Sequence, residues 1–254
     1  MLKGRSAVVT GSSRGIGRAI ALRLAQEGAK IVVNCVTNKA KANAVAKEIR
    51  GLGGEAVVIQ ADVSKRRDAE RLVKGAIEAF GKLDILVSNA GIIIDRPFTE
   101  STDEDWSRAI GINLTGFFNV TRAALPHMIK RRSGRIIATG SCITEIADFG
   151  GNKYSVCTAS KGGITMMLRP IAAEAAPHGV TVNAVSPGYI ATEMLGEIDP
   201  AGEEPGLEMD MLHLRLEESG RDIRGGRQSF GLHRFRHRAL SPSITRRSLS
   251  ASVR

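Results

Sequence analysis

One stretch constrains this chain more than any other: Val8-Val9-Thr10-Gly11-Ser12-Ser13-Arg14-Gly15-Ile16-Gly17. A short apolar run enters a turn punctuated by glycines. Helical spacing of apolar residues follows at once through Ile20, Leu22, Leu24 and Ala25, and Gly28 ends it. Strand, glycine turn and helix in direct succession aim backbone N–H groups and the positive end of a helix at one point, an arrangement suited to a phosphate. Gly11 permits the tight turn, Gly15 lets backbone approach a pyrophosphate, and Gly17 lets the helix pack close on the strand. The spacing is G-x-x-x-G-x-G, and taken alone it also describes a plain strand–helix turn.

The rest of the chain repeats the same alternation. Strands are expected at Ile31–Cys35, Ala56–Val63, Ile85–Ser88, Arg135–Thr139 and Val180–Val185. Between them the spacing predicts helices over Lys39–Arg50, Lys65–Phe80, 103–131 and Ser160–Ala176. Thr102 or Ser101 caps the long helix, with Asp105 at the capping-box position after Thr102. Strands apolar on both faces and alternating with helices imply an α/β fold, a doubly wound parallel sheet with helices on both faces. Ligands of such sheets sit at the carboxyl ends of the strands. The polar clusters Gly11–Gly17, Asp62, Asn89–Gly91, Ser141 and Pro187-Gly188 fall there.

Charge raises a rival function and its location removes it. The net charge of +10 would suit a nucleic-acid partner. From His213 onward, however, ten arginines stand against Glu217, Glu218 and Asp222, so seven of those ten charges lie in the last segment. That segment has no lysine and only Phe230 and Phe235 as aromatics, so no nucleic-acid partner is expected. Cys35, Cys142 and Cys157 show no C-x-x-C spacing, which implies neither a disulfide framework nor a metal site. No apolar run is long enough to span a bilayer and the first residues lack a signal-peptide pattern, so a cytoplasmic protein with no membrane partner is expected.

Taken together, the motifs resemble the short-chain dehydrogenase/reductase family, of the type that includes 3-oxoacyl-ACP reductases and related ketoreductases. The matching residues are Thr10-Gly11-x-x-x-Gly15-Ile16-Gly17, Asp62-Val63, Asn89-Ala90-Gly91, Ile112-Asn113-Leu114-Thr115-Gly116, Ser141, Ser160-Lys161 and Asn183…Pro187-Gly188…Thr192. They stand in the family's order over residues 1 to about 195. The resemblance implies a Rossmann-like NAD(P)-binding and catalytic domain over 1–195, a remnant of a substrate lid over 196–212 and a tail over 213–254 unlike the family and poorly ordered. It implies hydride transfer between a nicotinamide dinucleotide and a carbonyl, 3-oxoacyl or similar. Cofactor contacts would come from Gly11, Ser13, Arg14, Gly15, Ile16, Gly17, Asp62, Val63, Asn89, Ala90, Gly91, Lys161, Pro187, Gly188, Ile190 and Thr192.

NADP(H) is favoured over NAD(H). An acid ending the second strand would bind the ribose 2′-hydroxyl and repel a 2′-phosphate, and here that strand runs into Asn34-Cys35-Val36-Thr37-Asn38. Arg14 lies within the glycine turn, where NADP-dependent members often carry a basic residue able to pair with the phosphate. It also reads as a solvated loop arginine. Asp62 would bind the adenine edge, or serve as a helix N-cap, a role Ser64 could fill.

In the family a tyrosine donates the proton, a lysine four residues later holds the ribose, a serine bonds the carbonyl and an asparagine holds a relay water. Carried over by position these are Cys157, Lys161, Ser141 (with Thr144 as a competitor) and Asn113. Cys157 in place of the tyrosine is expected to impair turnover, because a thiol one ring shorter falls short of the carbonyl. Tyr154 shares a helix face with positions 157 and 161 and is a substitute donor, or else a surface tyrosine. Pro170 falls within the lysine's helix, where an interior proline costs about 3 kcal/mol. Ile92, Ile93, Ile94, Tyr189 and Ile190 read as an apolar substrate wall or as core. The resemblance implies a homodimer through the long helix and the Lys161 helix; a tetramer built on a last strand lacks that strand's pattern in 213–254. Two alternatives stand beside the enzyme: a non-catalytic dinucleotide-binding protein, and a defective gene product whose tail from about Leu214 is out of frame.

Overall fold

A computed structural model describes residues 1–144, 153–188, 190 and 192–196, and of Leu195 and Gly196 only the backbone. The expectations for 197–254 and for Tyr189 lie outside the described residues.

Among the described residues six strands form one parallel sheet: β1 Ser6–Val9, β2 Lys30–Cys35, β3 Ala56–Gln60, β4 Ile85–Ser88, β5 Gly134–Thr139 and β6 Val180–Val185. Their order is β3-β2-β1-β4-β5-β6, every neighbouring pair parallel. Among the described residues seven α-helices accompany them: α1 Gly15–Gln26, α2 Lys39–Gly51, α3 Arg66–Phe80, α4 Asp103–Ala109, α5 Gly116–Arg131, α6 Ser155–Ala175 and the short α7 Glu193–Gly196. The strand order reverses direction beside β1, and in such sheets the crevice there opens at the strands' carboxyl ends. This is the doubly wound, Rossmann-like sheet expected from the sequence.

Alternation along each strand explains the two apolar layers. Val8, Val32, Leu86, Ile136, Ala138, Val180 and Val182 face one layer with Leu72 and Val73 of α3, Phe117, Val120 and Met128 of α5, and Ile164 of α6. Ala7, Val9, Ile31, Val33, Ile85 and Val87 face the other, with Ala21 and Ala25 of α1 and Val45, Ala46 and Ile49 of α2. Because successive side chains point to opposite faces, a central strand covered on both sides must be apolar throughout. On β6 the pattern loosens, with Asn183 and Ala184 exposed.

Several boundaries differ from the sequence reading. β3 ends at Gln60 rather than Val63, and α2 runs through Gly51 before Gly53 takes a left-handed φ of +81°. The lysine's helix begins at Ser155 rather than Ser160, so position 157 is helical from the outset. The single helix expected over 103–131 is broken by a π turn, Ile110–Thr115. Such turns insert a residue and commonly mark functional positions; this one holds Asn113. Pro170 does not end α6. Its side of the helix is exposed, so the carbonyl it deprives of a partner can be hydrated, and exposed Pro126 in α5 is accommodated likewise.

Thr102 is the cap, and Ser101 is not. Its hydroxyl accepts from Asp105 N at 3.1 Å while the Asp105 carboxylate accepts from Thr102 N at 3.1 Å. Thr102→Ala is expected to cost about 1 kcal/mol, read as a lower urea midpoint at unchanged m-value; an unchanged midpoint would remove the cap from the account.

At the opposite end of the sheet from the crevice, Asp84 is buried at 2% exposure. Burial pushes its carboxyl up, but Ser6 N at 2.9 Å, Arg131 at 3.0 Å and Lys82 outweigh that and hold it below the usual carboxylate range. A paired, hydrogen-bonded charge there serves the fold rather than chemistry.

Candidate active site

The glycine turn is built by groups from four strands. Gly11 and Gly15 take left-handed φ values of +62° and +53°. A Cβ on Gly17 would lie 2.5 Å from Asn89 Nδ2 and 2.5 Å from Gly11 O, so only glycine lets α1 start this close to the turn. Thr10 Oγ1 accepts from Asn89 N and Ala90 N, both at 2.9 Å, and Asn89 Nδ2 donates to Thr10 O at 3.0 Å. Asn34, 1% exposed on β2, accepts from Gly11 N at 3.0 Å and donates to Ile59 O at 3.1 Å and Ala61 O at 3.0 Å. The N-cap of α1, Arg14, makes no side-chain capping bond to the helix. The first N–H groups of α1 therefore keep their capacity for an anion.

Two cavities adjoin this turn. One, of about 530 Å³, is lined by Ser13, Arg14, Gly15, Ile16, Arg18, Lys41, Val45, Glu48, Ile190, Thr192 and Glu193, among others. Its ion pairs are Lys41 with Glu193 at 2.8 Å, Arg14 with Glu193 at 3.8 Å and Arg18 with Glu48 at 2.7 Å. Arg14 thus faces a cavity rather than open solvent alone. The other cavity, of about 150 Å³, is lined by Ile16, Asn89, Gly91, Ile92, Ile93, Ser141, Cys142, Ile143, Tyr154, Cys157, Lys161, Pro187, Gly188, Ile190, Thr192 and Met194, among others. Ile16, Ile190 and Thr192 belong to both walls, so the two cavities adjoin across these three residues.

Lys161 lies deep in the second cavity. Its Nζ donates to Thr139 O at 2.7 Å, and a Cβ on Gly91 would stand 3.5 Å from it. Burial pulls its pKa from 10.5 down to about 8, with Cys157 opposing. Cys157 is 2% exposed. Its sulfur accepts from Ile94 N at 3.1 Å and lies 3.7 Å from Ile94 O and 3.9 Å from Ile92 O. Burial pushes the thiol up despite the Ile94 N–H and Lys161, so it is neutral at physiological pH. The sulfur is engaged by the loop after β4, and a short side chain so held has no reach toward a substrate.

Asn113 stands behind that wall rather than on it. Its Oδ1 accepts from Ile92 N at 2.8 Å; its Nδ2 donates to Ser160 Oγ at 2.9 Å and Ile92 O at 3.2 Å. The side chain clamps the loop to α6. Ser141 lines the cavity, whereas the hydroxyl of its competitor Thr144 turns back to Ser141 O at 2.9 Å. Asp62 and Val63 line neither cavity. Asp62 accepts from Ser64 N at 3.0 Å and Ser64 Oγ at 2.7 Å, and Val63 is core. Neither Asp62 nor Ser64 caps α3, whose N-cap is Lys65 without a side-chain bond. Tyr154, read from sequence chiefly as a surface residue, is the N-cap of α6 and lines the cavity beside Cys157 and Lys161, because the helix starts earlier than the spacing suggested.

Lys41, Glu193 and Asn34 escaped the sequence reading. A lone asparagine inside the apolar run Ile31–Cys35 was the available signal for Asn34, since a polar group buried in a strand must find partners. Lys41 and Glu193 carried no such signal: they stand 152 residues apart and meet only in the fold.

The family model for short chain dehydrogenase matches residues 5–202. A 3-oxoacyl-[acyl-carrier-protein] reductase of Synechocystis sp. is 44% identical over 193 residues, covering 76% of this chain and 77% of that protein. One from Aggregatibacter actinomycetemcomitans is 46% identical over 198 residues, covering 77% and 80%. Among solved structures, a dehydrogenase/reductase from Sinorhizobium meliloti superposes with a TM-score of 0.72 at 39% identity, covering 76% of this chain and 75% of that one.

Proposed function

This chain belongs to the short-chain dehydrogenase family of oxidoreductases, and we propose that it is an NADP(H)-dependent carbonyl reductase acting on a 3-oxoacyl thioester or similar ketone, slowed by Cys157. The observation that carries this reading is that the two cavities share the wall Ile16, Ile190 and Thr192, with Arg14 and Lys41 on one side of it and Lys161 with Ser141 on the other. The residues fit a dinucleotide: the glycines leave room at the turn, α1 presents uncapped N–H groups, and Arg14 and Lys41, now on Glu193, are cations that can pair with a phosphate. When bound, the dinucleotide supplies the hydride.

The chain's own groups bind and orient. Gly11 to Gly17 hold the diphosphate, with Asn34, Thr10 and Asn89 keeping that backbone in place. Asn89, Ala90 and Gly91 form the ribose side of the proposed site, whereas Asp62 and Val63, bonded internally and lining neither cavity, take no part in it. Lys161, Pro187, Gly188, Ile190 and Thr192 flank the nicotinamide end. Ser141 donates to the substrate carbonyl, Asn113 positions the wall through Ile92, and Lys161 presents an ammonium beside them. Ile92, Ile93, Ile143 and Met194 give an apolar wall, and the names of the relatives above supply the 3-oxoacyl class. A small-molecule substrate and a homodimer complete the reading; exposed Phe118 on α5 and Met166 on α6 suit the pairing face. Among the described residues no helix is long and apolar enough to cross a membrane, and no cluster of His, Cys, Asp or Glu is placed to hold a metal.

Cys157 also favours a second reading, a dinucleotide-binding protein without turnover, since its sulfur is committed to Ile94 N. One experiment covers both: titration with NADPH and NADH, then NADPH oxidation with a 3-oxoacyl thioester. Tighter binding of NADPH with slow oxidation is the expected result. Binding without oxidation selects the second reading, and binding of neither dinucleotide overturns both.

A further inference from the structure

Glu193 opens α7, a turn whose side chains reach both cavities. Its Oε2 lies 2.8 Å from Lys41 Nζ and 3.8 Å from Arg14 Nη1. Both cations line the larger cavity at the glycine turn. Arg14 is there as the N-cap of α1, and Lys41 because the Asn38 cap starts α2 two residues earlier, its Oδ1 accepting from Lys41 N at 2.9 Å. The Lys41 hydrogen bond, with Arg14 adding to it, holds the Glu193 carboxyl below its usual range, so it is an anion throughout the neutral range. The other charges on this wall, Arg18 and Glu48, satisfy each other at 2.7 Å. The wall's three cations and two carboxylates leave one net positive charge.

We propose that Glu193 is an internal anion seated on the Arg14–Lys41 pair, and that it sets discrimination between a dinucleotide with a 2′-phosphate and one without. This rests on the dinucleotide reading above. A ribose 2′-phosphate entering the cavity takes the same two cations, and it does so against the carboxylate already on them. A 2′-hydroxyl makes no such demand. All three side chains are about half exposed, at 47–54% for the pair with Lys41 and 48% for Arg14, so the contact is weak enough for a phosphate to displace. The same exposure limits what the carboxylate subtracts. Two like charges a few ångströms apart in a solvated cleft weaken binding about three- to tenfold.

The test is calorimetric titration of the full chain and of Glu193→Gln with NADPH and with NADH, at low and high salt. The expected result is NADPH binding about three- to tenfold tighter in the variant, NADH binding changed by less than about twofold, and a difference that shrinks as salt screens it. An equal change for both dinucleotides would make Glu193 a prop of the 193–196 turn and overturn the proposal, as would no change or weaker NADPH binding. Binding of neither dinucleotide to either protein would instead overturn the cofactor reading, and this inference with it.

Discussion

Cys157→Tyr is expected to raise the rate of NADPH-dependent 3-oxoacyl thioester reduction by about 10²–10⁴-fold, the usual contribution of a positioned general acid. The argument is one of reach and protonation. The Cys157 sulfur is held at 3.1 Å by Ile94 N, and burial keeps the thiol neutral. A phenol at the same position extends into the 150 Å³ cavity that Lys161 and Ser141 line. Lys161, lying on the next turn of the same helix, stabilises the phenolate left after proton transfer. The substitution strips Ile94 N of its acceptor, a cost of about 1–2 kcal/mol in stability that a thermal melt would show. If the parent already turns over as fast as the variant, Cys157 is not the lesion, and Tyr154 on the same wall, or a water, supplies the proton. If the variant binds NADPH and still does not reduce the thioester, the assignment of position 157 falls.

Lys161→Met is expected to move stability and activity in opposite directions. In the Cys157→Tyr background it should lower turnover at least about 100-fold, since the ammonium that supports the phenolate and the ribose is gone. In the parent it should stabilise the free protein. Burial lowers the pKa of Lys161 in the folded chain from 10.5 to about 8. Between those values the unfolded chain holds a proton that the folded chain does not, so stability rises with pH across that window. Below pH 8 the full penalty stands, about 3 kcal/mol at about 1.4 kcal/mol per pH unit. Loss of the hydrogen bond to Thr139 O returns about 1 kcal/mol of that. The net gain is about 2 kcal/mol at pH 7, or roughly 4–8 °C in Tm for a chain of this size. The gain should fade as pH climbs from 8 toward 10.5. A variant that melts lower than the parent at pH 7, or a gain that does not change with pH, would show that the lysine's burial carries no such cost.

Legibility followed from how far apart the determinants lie. Gly11, Gly15, Gly17 and the strand before them form one local unit, and each glycine's reason was readable: two positive φ values and one contact too tight for a Cβ. The strands were readable because burial on both faces demands unbroken apolar runs. The start of α6 was not, because its N-cap is Tyr154, a residue type that gives no capping signal and makes no side-chain bond to the helix. The π turn at 110–115 was hidden as well, since nothing in Ile-Gly-Ile-Asn-Leu-Thr distinguishes a widened turn from an α turn until Asn113 meets Ile92. The side chains of Asp62 and Val63 were assigned to a ligand by position, and the fold uses them internally.

The order of motifs along the chain by itself determined the sheet, the glycine turn, the family and the place of Cys157 four residues before Lys161. Those are properties of spacing, and spacing is written in one dimension. Only the tertiary structure decided what each group is free to do. It turned the Cys157 sulfur onto Ile94 N, lowered the Lys161 pKa by burying it, put Tyr154 on the cavity wall and seated Glu193 on Arg14 and Lys41. The physical reason is common to all four. Hydrogen bonds, desolvation and charge pairing act over a few ångströms between residues that can be more than a hundred positions apart, and distance in the fold is set by packing, which no local pattern encodes.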